Sequence, residues 1–123
     1  MLQSIVKPAI AQLSAENIKQ NILKFSEFQN RYYRSEHGVR SAQWLYETIE
    51  ELTRKAAPHL RFSMKKVAHN WSQFSIITRL ESASTDLSLP VTIISAHQDS
   101  TATASPMNAR APGADDDGNL LNN

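Results

Sequence analysis

The residues of this chain best suited to chemistry lie near its carboxyl end: His97-Gln98-Asp99, then Asp115-Asp116-Asp117 after a Pro112-Gly113 turn. Residues i and i+2 of an extended chain point the same way. A carboxylate at Asp99 can therefore reach the His97 imidazole and hold its tautomer, as carboxylates behind metal-bound histidines do. The aspartate run is costly to draw into a cleft unless a cation joins it. A divalent ion held by His97 nitrogen and aspartate oxygen is a consistent account, and that donor set suits zinc better than calcium or magnesium. A calcium loop does not fit: with Gly118 at its sixth position, Gly113 would stand first, where an aspartate is needed. The plain alternative is a surface His–Asp pair beside a solvated acidic loop.

Composition limits what these residues can belong to. At 123 residues the chain has room for one small core. Its 13 Lys and Arg against 12 Asp and Glu leave a formal net charge of +1. So small a charge steers the protein toward neither nucleic acid nor an anionic membrane. Cysteine is absent, which excludes a disulfide scaffold, a Cys-rich zinc finger and a thiol nucleophile. No apolar run approaches the ~20 residues that span a bilayer. The opening Met1 to Pro8 has no basic leader region and does not read as a signal peptide.

The elements that must position the candidate residues follow from periodicity. Residues 1–13 are expected as an extended lead-in. Ser14 is a suitable N-cap, Glu16 suits the first turn, and Ile18, Ile22 and Phe25 share one helical face. Asn30 to Arg34 interrupts that pattern and is expected as a connection. Gly38 precedes a stronger helix, in which Ala42, Leu45, Ile49 and Leu52 form an apolar stripe that Pro58 ends. The period then falls to two. Phe62 and Met64, and later Phe74, Ile76, Thr78 and Leu80, alternate as strands do, joined through His69 to Ser72. Val91 to Ala96 is short, apolar and β-branched, which predicts a strand buried on both faces. His97 and Asp99 would then sit at its carboxyl end, where open α/β sheets carry their ligand groups. From Asp99 onward no period is visible.

With these elements in order, His97-Gln98-Asp99-Ser100 and Ala111 to Gly118 resemble the first two metal motifs of the two-zinc aminopeptidases, in particular the secreted fungal leucine aminopeptidases. Phe28 to Ser35 and Gly38 to Leu45 are similar to that family's leading segment. The resemblance runs from about Ser14 to Gly118. It implies a fold class of α/β: an incomplete zinc-peptidase-type domain, with two amino-terminal helices followed by strands of a mixed sheet. Residues 14–118 would be the amino-terminal part of the catalytic domain and residues 119–123 a short divergent tail. It further implies that His97 ligates one zinc, that Asp116 bridges two, and that Asp99 orients His97. In the family the zincs polarise the peptide carbonyl and activate a bridging water, with a later glutamate as general base.

The departure from the family is equally specific. After Gly118 come only Asn119 to Asn123, so the expected Glu-Glu pair, further aspartate and second histidine are missing. A catalytic zinc has about three protein ligands plus water, which His97 and Asp116 alone do not supply. The expectation is an amino-terminal fragment of a zinc aminopeptidase, inactive as given and exported by descent, whose complete form takes peptide substrates. The rival expectation is a non-catalytic interaction protein, pairing an open sheet edge with itself, a full-length relative or another partner. Arg31-Tyr32-Tyr33-Arg34 offers basic and aromatic groups to nucleic acid, but the near-zero net charge favours tyrosines packed on the sheet. His37, His59 and His69 are expected at the surface or in loops, and Trp44 in the core. Asn70-Trp71-Ser72 is a formal glycosylation sequon, relevant on export.

Overall fold

The structure is a computed structural model that describes residues 2–83 and 90–113. Three helices precede a two-stranded sheet: α1 (Leu2–Ile10), α2 (Ala15–Phe25), α3 (Glu36–Arg54), β1 (Leu60–Val67) and β2 (Ser75–Ser82). The architecture is a small α/β arrangement, as the sequence predicts.

The lead-in is helical rather than extended. Val6, Ala9, Ile10 and Leu13 recur at helical spacing, although Pro8 lies inside α1 and deprives the backbone of one donor. The chain leaves α1 through tight bonds from Gln12 and Leu13 to the carbonyls of Ala9 and Ile10. Ser14 then caps α2, its hydroxyl accepting from the Asn17 amide at 3.2 Å. Phe25, at the far end of α2, stacks on Trp44 of α3 with ring centroids 5.6 Å apart, and Phe28 closes the cluster at 6.1 Å from Trp44. Trp44, expected in the core, is half-buried within this aromatic cluster.

The second strong helix begins earlier than expected, and Gly38 lies in its first turn. Ser35 is the N-cap, and its hydroxyl accepts from the Gly38 amide at 2.9 Å. A β-carbon at Gly38 would stand 2.0 Å from the Tyr32 carbonyl oxygen, so the preceding connection lies directly on this glycine. Along the apolar stripe Ala42 is fully buried, whereas Leu52 is exposed. Ion pairs Glu50–Arg54 and Glu51–Lys55, each at 2.7 Å, run along the outer side.

β1 and β2 pair antiparallel, with Phe62 opposite Leu80, Met64 opposite Thr78 and Lys66 opposite Ile76. Lys66 ties this face to α3: its ammonium donates to Gln43 at 2.7 Å and lies over the rings of Tyr46 and Phe74. Among the described residues the sheet is this antiparallel pair alone, not a mixed sheet. The expected strand at Val91 to Ala96 is likewise not formed. They have no ladder partner among the described residues, and Ile93 and Ile94 are 84% and 94% exposed. An apolar β-branched run specifies the surroundings a strand needs, and the described residues do not provide strands on either side of it.

The centre of the molecule is polar. Ala42 and Ala111 are the buried apolar residues among those described, while Asn30, Arg31, Ser35, Ser41, Gln73 and Ser100 are also buried. Every buried side-chain nitrogen and oxygen among the described residues has a hydrogen-bond partner.

Candidate functional site

His97 follows the irregular segment, so a strand end does not place it. It is placed by its neighbours in sequence. Gln98 donates its side-chain amide to the carbonyl of Phe74, the residue just before β2, and the Gln98 carbonyl accepts from Arg31 Nε at 2.9 Å. Ser100 accepts at its carbonyl from the Arg31 amide at 3.0 Å, and its hydroxyl donates to the Ala111 carbonyl. The residues flanking the candidate pair are thereby fixed to the entry of β2, to the α2–α3 connection and to the far end of the 101–110 loop.

His97 and Asp99 come together. His97 Nδ1 is 3.3 Å from Asp99 Oδ1 and 3.0 Å from the Asp99 carbonyl oxygen. With a proton on Nδ1 the ring donates to these oxygens, and its lone pair is then on Nε2. The two side chains are 46% and 39% exposed, so the pair sits at the surface rather than in a closed cleft. Asp116, with Asp115 and Asp117, lies outside the described residues. Among the described residues no group of three or more His, Cys, Asp or Glu side chains converges as a metal centre. The donor chemistry at His97, an imidazole with one nitrogen turned to a carboxylate, fits a zinc ligand. The described residues alone do not complete a zinc site.

The 98–113 stretch contains no helix or strand, yet it is held along its length. Asn30, fully buried, donates its side-chain amide to the carbonyls of Met107 and Ala109, both at 3.2 Å. Its side-chain oxygen accepts from the Tyr32 amide and from the Ser35 hydroxyl at 2.9 Å. The Gln29 carbonyl accepts from the Ala111 amide at 2.7 Å, and the Gln29 side chain donates to Asn108. Arg31, 2% exposed, adds an Nη1 bond to the Pro112 carbonyl at 2.8 Å while its guanidinium covers the Phe25 ring at 4.2 Å. Residues expected as a mere connection therefore hold the segment that carries the chemistry. Sequence reasoning misses this because bonds to distant carbonyls leave no periodic trace. The available signal was composition: two amides and an arginine in succession between two helices.

The other singled-out residues take ordinary places. Tyr33 packs edge-on against Trp71 of the β1–β2 connection, with centroids 5.4 Å apart, and Arg34 lies over Tyr33. Desolvation raises the Tyr32 phenol above its usual value of 10.0, and its hydrogen bond with Tyr33 adds to that. His37, in the first turn of α3, faces Arg40, whereas His69 stacks on Trp71 and bonds Ser75, and His59 is exposed. Asn70 of the sequon is exposed. A shallow cavity lined by Arg34, Glu36, Val39, Arg40 and Ser72 contains none of the candidate residues. No helix among the described residues is long and apolar enough to cross a membrane.

No family model matches the chain. It is 42% identical over 118 residues to leucine aminopeptidase 1 of Coccidioides posadasii, an alignment covering 94% of this chain and 29% of that protein. Leucine aminopeptidase 1 of Emericella nidulans is 42% identical over 114 residues, 92% of this chain and 28% of the relative. That of Aspergillus niger is 40% identical over 114 residues, again 92% and 28%. The chain spans less than a third of the length of these curated relatives. Over nearly its whole length, then, it is similar to a stretch of fungal leucine aminopeptidases.

Proposed function

We propose that this chain forms part of a zinc-dependent aminopeptidase catalytic domain, removing amino-terminal residues from peptides in an enzyme exported from the cell. The observation that carries the reading is the His97–Asp99 pair, with Nδ1 3.0 Å from one Asp99 oxygen and 3.3 Å from another. It lies in a chain whose relatives bear the name leucine aminopeptidase. His97 and Asp116 are the proposed zinc ligands. Asp99 is the positioning residue for His97, holding the ring orientation and the tautomer in which Nε2 carries the lone pair. Zinc, when bound, would polarise the scissile carbonyl and lower the pKa of a bound water. Residues 98–123 contain no glutamate and no further histidine, so a glutamate general base or a second histidine ligand would come from outside these residues.

The test is zinc titration of the 123-residue polypeptide followed by NMR of the histidine rings. The His97 signals are expected to shift on zinc addition, to revert with chelator, and to stay unmoved in Asp116→Ala at the same zinc concentration. Equal responses from His37, His59, His69 and His97 would sink the proposal, since a specific ligand would not behave like a surface ring. The same polypeptide is expected to leave an aminoacyl-anilide substrate intact. Hydrolysis lost on chelation and abolished by Asp116→Ala would instead place a complete site within these residues. Expression through a secretory pathway is expected to glycosylate the exposed Asn70, read as a mass increase that Asn70→Gln removes.

A further inference from the structure

We propose that Arg31 is the positioning residue that sets the His97–Asp99 pair in place relative to the Pro112-Gly113 segment that precedes the aspartate run in sequence. This deepens, and in its zinc arm rests on, the reading of His97 and Asp116 as ligands. The geometry is that of a bracket. One guanidinium donates through Nε to the Gln98 carbonyl at 2.9 Å and through Nη1 to the Pro112 carbonyl at 2.8 Å. The Arg31 amide donates to the Ser100 carbonyl at 3.0 Å, so residues on both sides of Asp99 are held by the same residue. Phe25 backs the guanidinium at 4.2 Å, and Gln73 donates to the Arg31 carbonyl, which fixes the bracket from behind.

The planar guanidinium presents its N–H groups in fixed directions, so the two carbonyls are bridged with a preset geometry. Lysine carries the charge but presents a point donor on a flexible stem, so Arg31→Lys should keep the fold while loosening the bridge. The spacing between the two motifs would then no longer be held. Gln29 and Asn30 hold the intervening loop, and Ser100 joins its ends through one hydroxyl bond to the Ala111 carbonyl, while Arg31 bonds both Gln98 and Pro112 from a single side chain.

The experiment compares wild type with Arg31→Lys in the full 123-residue chain. Trypsin can cut after Arg110, which is exposed, but the following Ala111 is fully buried with its amide bonded to Gln29. In Arg31→Lys, cleavage there should accelerate roughly tenfold with cooperative unfolding retained. At mildly alkaline pH, and at a temperature where both proteins are fully folded, the ¹⁵N signals of the His97 ring should move from the Nδ1–H tautomer expected in the wild type toward a mixture. Zinc half-saturation at His97 should also weaken by roughly tenfold. Unchanged Arg110 cleavage and an unchanged His97 tautomer in the variant would overturn the proposal. If zinc leaves the wild-type His97 ring unmoved, the zinc reading fails by itself, and the tautomer and cleavage still decide the role of Arg31. If Arg31→Lys does not fold, the wild-type Arg31 Nε–H decides: slow exchange with solvent supports the bracket, and fast exchange overturns it.

Discussion

At the residue scale, Gly38 makes the sharpest prediction. Alanine is the better helix former by about 1 kcal/mol, so on propensity alone Gly38→Ala should stabilise α3. The added β-carbon, however, would stand 2.0 Å from the Tyr32 carbonyl oxygen and 2.8 Å from its carbon, both backbone atoms that cannot swing aside. Overpacking of this kind costs about 1–3 kcal/mol or more, so the sign reverses. Gly38→Ala should lose roughly 2 kcal/mol net in urea unfolding; equal or higher stability would show that the connection does not lie on this turn. Tyr32 gives a pH test. Its phenol titrates above 10.0 in the folded state because desolvation disfavours the phenolate. Its contribution to stability is fully present below the unfolded value and is lost as pH rises through the raised folded one. Tyr32→Phe should flatten that alkaline fall, and an unchanged profile would assign the fall to other groups. The candidate site itself was half legible. That Asp99 can reach His97 follows from i, i+2 spacing, whereas the grip of Asn30 and Arg31 depends on carbonyls far along the chain, which no local pattern reveals.

At the element scale, two N-caps with the same chemistry should differ in worth. Ser14 accepts from the Asn17 amide at 3.2 Å on a largely exposed helix. Ser35 accepts from the Gly38 amide at 2.9 Å while buried, and its proton serves Asn30 or the Tyr32 carbonyl. Removing a cap costs about 1 kcal/mol, and loss of the buried Ser35–Asn30 hydrogen bond adds a comparable amount, even though the Asn30 oxygen keeps the Tyr32 amide. Ser35→Ala should therefore cost roughly 2 kcal/mol and Ser14→Ala roughly 1 kcal/mol or less, read from paired thermal unfolding curves. Equal losses would show that the Asn30 bond contributes nothing. The legibility of the elements follows the same physics. α3 and the β1–β2 pair declare themselves because local spacing matches their own contacts. α1 hides behind Pro8, and the Val91 to Ala96 run misleads because its side chains fit neighbours that the described residues do not supply.

At the scale of the whole molecule, polar bonds hold the centre while apolar surface remains outside. Val91, Ile93 and Ile94 are exposed in one short run, and Phe62, Leu80 and Leu52 add further exposed apolar surface. A β-branched run without ladder partners is a template for pairing with another chain. The 123-residue polypeptide should therefore self-associate with rising concentration. Ile93→Lys with Ile94→Lys should shift sedimentation toward monomer and leave the melting temperature nearly unchanged, because both side chains already face water. A monomer at all concentrations would remove this expectation.

The grip on residues 98–112 is directed almost wholly at main-chain carbonyls and amides: those of Gln98, Ser100, Met107, Asn108, Ala109, Ala111 and Pro112. A backbone looks the same whatever side chains it carries. The span from Ala102 to Pro106 is thus a natural place to substitute randomised or foreign sequence of equal length without redesign of its anchor. Libraries built there would vary the side chains of the loop while its footing stayed constant.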